Sequence, residues 1–170
     1  DLQKALGSFR PQVKRQDLVG FVRASLDELT SIFPRVKLES DLPSAPIEVH
    51  FDAEHLGRAL SIVLQNSVEA MGGSGTLRVS IAATEGSAQL KIADSGPGFT
   101  SEVLGRLFEP LFTTKGAKGT GLGLSIARKL IREQGGRIEA CNAPEGELAS
   151  RSPCRAADQS GLLIVGTGRQ

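Results

Sequence analysis

Tryptophan and tyrosine are missing from this 170-residue chain, and seven Phe make up its whole aromatic complement. Its core must therefore come from Leu, Ile, Val and Ala. An excess of one charge is lacking too. Against 20 Lys and Arg stand 19 Asp and Glu, a net of +1 that gives no field to draw in nucleic acid, a membrane surface or an acidic substrate. No apolar run is long enough to span a bilayer, and residues 1–10 lack the form of a signal peptide. The two cysteines, Cys141 and Cys154, have no metal-ligand spacing and no His cluster nearby. Unpaired thiols in a reduced, cytoplasmic setting are the expectation.

What is present is an ordinary soluble composition, 39% apolar and 23% charged, in a length that suits one domain. Residues 1–9 read as the end of a helix interrupted by Pro11. From Asp17, the residues Leu18, Phe21, Val22, Leu26 and Leu29 recur at helical spacing up to Pro34. Short strands are predicted at 36–39 and 47–51, parted by a turn at 43–46. Asp52 then caps a helix whose stripe runs Leu56, Ala59, Leu60, Val63, Ser67 and Ala70 before Gly72-Gly73 ends it. Strands follow at 77–82 and 88–93, joined by a turn around Glu85-Gly86-Ser87. Residues 94–121 form a long Gly-, Pro- and Thr-rich segment with a short helix at 101–107; loops of that length are usually functional or disordered. Leu122, Ile126, Leu130 and Ile131 mark a final helix stopped by Gly135-Gly136, and 137–141 alternates as a strand. Mixed elements without a strict βαβ repeat predict an α+β fold, one sheet with helices covering a single face.

Four segments carry chemistry. In Gln65-Asn66-Ser67-Val68-Glu69-Ala70-Met71, Asn66 lies on the shoulder of the apolar stripe. An unpaired carboxamide there costs about 1–3 kcal/mol, so it calls for a magnesium ion, a phosphate oxygen, water or backbone. Asp94-Ser95-Gly96-Pro97-Gly98 directly follows a strand. Its carboxylate suits an exocyclic amine, and Gly96 and Gly98 let the backbone approach a flat ring; a tight turn with a capping Asp is the plainer alternative. In Leu107-Phe108-Glu109-Pro110-Leu111-Phe112-Thr113-Thr114-Lys115, the two aromatics can pin a flap and Lys115 can reach a polyphosphate, or the three can be core and solvated charge. Lys118-Gly119-Thr120-Gly121-Leu122-Gly123-Leu124 opens a helix, a ready anion site if it is not a flexible linker. It is neither a Walker loop nor a dinucleotide fingerprint.

The order of these segments resembles the GHKL superfamily of histidine kinases, gyrase-type topoisomerases, mismatch-repair ATPases and a heat-shock chaperone. Phe-Glu-Pro-Leu-Phe-Thr-Thr-Lys followed by Gly-Thr-Gly-Leu-Gly-Leu-Ser is similar to sensor histidine kinases of the nitrogen-regulation and oxygen-sensing types, over residues 17–141. The resemblance implies the Bergerat ATP-binding fold, a two-layer α/β sandwich, binding Mg-ATP. It implies that Asn66 coordinates Mg2+, that Asp94 holds the adenine amino group, and that Gly96 and Gly98 shape that wall. Residues 99–118 become an ATP lid pinned by Phe108 and Phe112, with Thr114 and Lys115 at the phosphates. Gly119, Thr120, Gly121, Leu122, Gly123 and Leu124 supply the hinge and the backbone amides at the nucleotide. Catalysis implied for Asn66 and Lys115 is positioning and charge neutralisation, without a covalent intermediate.

Two departures accompany the likeness. Where histidine kinases often carry another Asn, and ATPases a water-activating Glu, this chain has Ile62, which argues against efficient ATP hydrolysis. After Gly135-Gly136-Arg137-Ile138 the chain offers part of a turn in Glu145-Gly146-Glu147, then a polar stretch, with residues 162–165 as a possible last strand. His50 and His55 both lack the acidic follower of a phosphoacceptor and are expected at the surface. The substrate histidine is therefore expected on a separate dimerisation domain upstream, of which residues 1–16 are a helix remnant and linker. Residues 17–170 are then the catalytic domain, with 146–170 an atypical tail. A monomer that binds ATP and ADP, phosphorylates that histidine and feeds a response regulator is expected, with no nucleic acid partner. A GHKL ATPase or a nucleotide-gated interaction module are the alternatives.

Overall fold

In the computed structural model, which describes residues 10–84, 87–143 and 159–167, the elements run β1 (Lys14–Asp17), α1 (Leu18–Ile32), β2 (Val36–Asp41), β3 (Glu48–Phe51), α2 (Ala53–Ala70), β4 (Gly75–Thr84), β5 (Ser87–Asp94), α3 (Ser101–Arg106), α4 (Gly123–Glu133), β6 (Arg137–Ala143) and β7 (Gln159–Thr167). Every second side chain of β5 is buried, as a strand with one face on the core demands. Around it lies a mixed sheet of order β2-β4-β5-β7-β6, in which β2 and β4 are parallel and the other pairs antiparallel. Leu77, Leu90 and Ile92 from the sheet meet Leu26, Leu60 and Ile131 from α1, α2 and α4 in one cluster. This is the expected α+β sandwich, with a mixed sheet and its helices.

Residues 162–165 fall within β7, which lies between β5 and β6. The late strand is thus supplied after the polar stretch. The Glu85-Gly86 turn, the Glu145-Gly146-Glu147 turn, Cys154 and residues 1–9 lie outside the described residues. Residues 14–16, read from sequence as linker, form β1 together with Asp17 and pair antiparallel with β3. Arg15 ion-pairs with Glu48 at 2.8 Å, and the Gln16 amide donates to the Phe51 carbonyl at 3.0 Å. Among the described residues no helix is long and apolar enough to cross a membrane. Cys141 is disulfide-bonded, against the expectation of an idle thiol. Disulfides persist mainly in oxidising settings, so the cysteines give no support to a reduced one.

His50 is exposed as expected, but His55 is only 8% exposed. It occupies the first turn of α2, where Nδ1 lies 3.3 Å from Asp52 Oδ1 and Nε2 lies 3.3 Å from Glu133 Oε2. Asp52 caps α2 by accepting from the His55 backbone amide at 2.9 Å, and its own amide donates to Gln134 Oε1 at 2.9 Å. The start of α2 is thereby tied to the end of α4. Burial alone would raise the Asp52 carboxyl, but hydrogen bonds from the His55 and Gln12 amides and the nearby His55 ring outweigh it. The group is held below its ordinary value of 3.8. Its contribution to stability is present above that value and lost as pH falls through the lower folded-state one. Asp52→Ala is expected to cost about 1–2 kcal/mol at neutral pH. Urea denaturation should show the gap to the unaltered chain narrowing in acid; a gap independent of pH would contradict the capping role.

Candidate functional site

β5 delivers Asp94 to the end of the sheet, and α2 carries Asn66 on its exposed shoulder. Both line one cavity of about 670 Å³, a volume within the ordinary range for small-molecule sites. At the Asp94 end, the carboxylate is buried and accepts from the Gly96 amide at 2.8 Å. A Cβ on Gly96 would fall 2.7 Å from Asp94 Oδ1 and 3.2 Å from Ala70, so only glycine lets the turn close this tightly on the helix. Ser95 fixes the same turn to β4: its Oγ accepts from the Thr76 amide at 2.9 Å.

Around Asn66 the lining is polar and carries one ion pair. Asn66 and Glu69 stand three apart on α2, hence on one face. The Lys115 ammonium donates to Asn66 Oδ1 at 2.7 Å and also to the Glu69 carboxylate. Gly119, Thr120, Gly121, Gly123 and Leu124 line the same cavity, with the Gly123 Cβ position 3.8 Å from Asn66 Nδ2. No side chain caps α4, whose first amides therefore lack a side-chain acceptor where the helix dipole is positive. Such a terminus receives anions readily. Ile62 lines the cavity too, its Cγ2 3.3 Å from where a Gly123 Cβ would be. That position gives the start of α4 an apolar bed and offers water no base.

Between the two ends runs the segment from Phe99 to Lys118. Thr100 caps α3 by accepting from the Val103 amide at 3.2 Å. The Phe112 ring lines the cavity under the Arg106 guanidinium, 4.5 Å from its centroid. Phe108 packs against the core instead, with the Arg128 guanidinium 5.5 Å from its ring. Leu111 holds φ +66° and is 74% exposed. Its backbone lies over Gly121, at φ +67°, where an added Cβ would come within 2.4 Å of the Leu111 carbonyl carbon.

Of the residues singled out from sequence, Asn66, Asp94, Gly98, Phe112, Thr114, Lys115, Gly119, Thr120, Gly121, Gly123 and Leu124 gather around this one cavity. Gly96, Phe108 and Leu122 do not line it: Gly96 supports Asp94 from behind, Phe108 fastens the segment to the core, and Leu122 precedes the first turn of α4. Sequence reasoning missed Glu69, though its spacing from Asn66 is a readable signal. It also missed Val103 and Thr113, which line the cavity from the segment between the ends and carry no signal of their own.

Residues 51–153 match the family described as histidine kinase-, DNA gyrase B- and HSP90-like ATPase. The chain belongs to this family. It is a histidine-kinase-type member: it is 36% identical over 147 residues to nitrogen regulation protein NtrY of Azorhizobium caulinodans, covering 82% of this chain and 19% of that protein. To the C4-dicarboxylate transport sensor protein DctB of Pseudomonas aeruginosa it is 38% identical over 120 residues, 68% of this chain and 20% of that one. The chain thus spans about a fifth of the length of the curated relatives it matches. Among solved structures, a mycobacterial sensor histidine kinase, MprB, superposes with a TM-score of 0.75 at 25% identity, covering 92% of this chain and 97% of that one. As a member of an ATPase family, this domain binds ATP.

Gly121→Ala is expected to cost about 1–2 kcal/mol, since alanine must hold left-handed backbone while its methyl displaces Leu111. The loss should be visible in urea denaturation, together with shifted amide resonances at Leu111. Unchanged stability and unchanged resonances would mean that the Leu111 backbone does not rest on the glycine-rich segment.

Proposed function

We propose that the chain is the catalytic domain of a two-component sensor kinase, which binds Mg-ATP and passes its γ-phosphate to a histidine on a separate dimerisation domain. The carrying observation is that Asp94 and Asn66 line one and the same cavity. A purine fits the Asp94 end, where a carboxylate can accept from the exocyclic amine. The polyphosphate fits the other end, among Lys115, the glycine-rich turn and the open amides of α4.

The donor set at Asn66 suits a hard cation: an amide oxygen and the Glu69 carboxylate already share the Lys115 ammonium. Asn66 is the residue that would hold Mg2+, and the ion, when bound, would neutralise phosphate charge and orient the β- and γ-phosphates. Lys115 is then free to meet the phosphates as a point charge. The lid, braced at Phe108 and Phe112, limits water around the phosphates. In the transfer, the bond between the γ-phosphorus and the β,γ-bridging oxygen breaks, an imidazole nitrogen of the partner domain takes the phosphoryl group, and ADP leaves. The chain's own work is positioning and electrostatic stabilisation.

The structure of histidine kinase ThkA was solved with response regulator TrrA, and a response regulator downstream fits this chain by analogy. The net charge of +1 provides no field toward nucleic acid. Hydrolysis of ATP for conformational work is the weaker reading, because Ile62 occupies the position of the water-activating acid and packs toward Gly123.

Asp94→Asn is expected to weaken adenine-nucleotide binding at least about tenfold, through the loss of a charge-assisted hydrogen bond, with the thermal midpoint little changed. Unchanged affinity in a calorimetric titration would overturn the purine assignment. Incubation with ATP and a histidine-bearing dimerisation fragment should leave acid-labile phosphate on the fragment. Free phosphate alone would favour the ATPase, and neither product a nucleotide-gated binding module.

A further inference from the structure

We propose that Asn142 is a positioning residue for the nucleotide site, a side-chain clamp that fixes the point where the purine wall gives way to the lid. The proposal rests on the nucleotide reading of the cavity. Asn142 lies near the end of β6, on the edge strand of the sheet, 43 residues from Phe99 in sequence. Its Oδ1 accepts from the Phe99 backbone amide at 2.9 Å, and its Nδ2 donates to the Phe99 carbonyl at 2.6 Å.

Two bonds exchanged with one residue reproduce the pattern of a directly paired residue in an antiparallel ladder. A carboxamide does this in one orientation only; turned over, it would set N–H against N–H and oxygen against oxygen. The side chain therefore extends the sheet edge by one pairing, to a backbone that no strand reaches. Isoelectronic carboxylate or an aliphatic side chain cannot make both bonds.

The place of the clamp gives it consequence. Upstream, the chain turns at Gly98, with φ +76°, only four residues from Asp94. Downstream, Thr100 caps α3 and the lid begins. Phe99 and Gly98 both line the cavity. Asp94 is held to its own turn through Gly96, whereas Phe99 is tied by Asn142 across to a different strand. Removing that tie frees the wall at Gly98 and Phe99 and moves the hinge of the lid back toward Asp94. Asn142 touches the Phe99 backbone and does not line the cavity, so its effect on nucleotide passes through Phe99.

The test compares the 170-residue chain with its Asn142→Ala and Asn142→Asp variants. It measures ADP affinity by calorimetry, thermal midpoint, and amide exchange without nucleotide. Asn142→Ala should weaken ADP about tenfold and speed exchange at Phe99 and through α3, while β4 and β5 keep their protection. Asn142→Asp, which keeps the acceptor for the Phe99 amide and loses the donor, should fall between. It also carries the test if the alanine variant does not fold. Unchanged ADP affinity in both variants overturns the proposal. So does exchange that rises equally throughout the sheet, which would make Asn142 a general stabiliser. The exchange arm separates two failures: no ADP binding by the unaltered chain overturns the nucleotide reading, whereas unaltered Phe99 exchange in the variants overturns the clamp.

Discussion

A carboxylate buried at the end of a strand must be met by hydrogen-bond donors, and in this domain the solution to that constraint shapes one wall of the site. Asp94 is supplied by the Gly96 amide, which forces a turn so close to α2 that position 96 has no room for a side chain. The turn in turn sets where Gly98 and Phe99 run. Ala70, which Gly96 approaches, lies one helical turn beyond Asn66, so the packing that seats the carboxylate also fixes its distance from the carboxamide. The two ends of the cavity are therefore one rigid construction, built from the end of β5 and the exposed shoulder of α2.

The other wall is made of chain that has little core of its own. Between Phe99 and Lys118 the fastening is piecemeal: Asn142 holds the backbone at one end, Arg128 and Arg106 cover the two Phe rings, and the Leu111 backbone lies over Gly121. Lys115 closes the circuit by reaching Asn66 and Glu69. That contact is an ion pair between half-exposed groups, of the kind worth about 0–1 kcal/mol. On the proposed reading, an incoming polyphosphate with its cation would offer both partners better company, and a contact this weak is easily exchanged. Local stability low enough to move is what a lid requires.

Much of this was legible in the chain. Helical spacing from Leu18 to Leu29 and from Leu56 to Ala70, alternation over 88–93, and the glycine pairs at 72–73 and 135–136 each mark an element found where expected. The residues that gather at the cavity were readable because glycine-rich turns and a post-strand Asp are local signals. Long-range pairings were not. Nothing near His55 announces that Glu133 will meet it, nothing in Asn142 points to Phe99, and β1 forms only because β3 is there to pair with it. Phe108 and Phe112 look equivalent in sequence, yet one turns to the core and the other to the cavity. Side-chain direction in an irregular loop has no periodicity from which to be read. Cys141 illustrates the same limit, since nothing in its spacing announces that it is disulfide-bonded.

The central claim is that Asp94 and Asn66 hold opposite ends of one nucleotide. Paramagnetic mapping by NMR with Mn2+-loaded ADP tests it most directly. The account predicts that the Asn66 side-chain resonance and the first amides of α4 broaden most, while the amides of Gly96 and Gly98 broaden less and already shift with metal-free ADP. Broadening strongest at Gly96 and Gly98, or no response around the cavity at all, would contradict it.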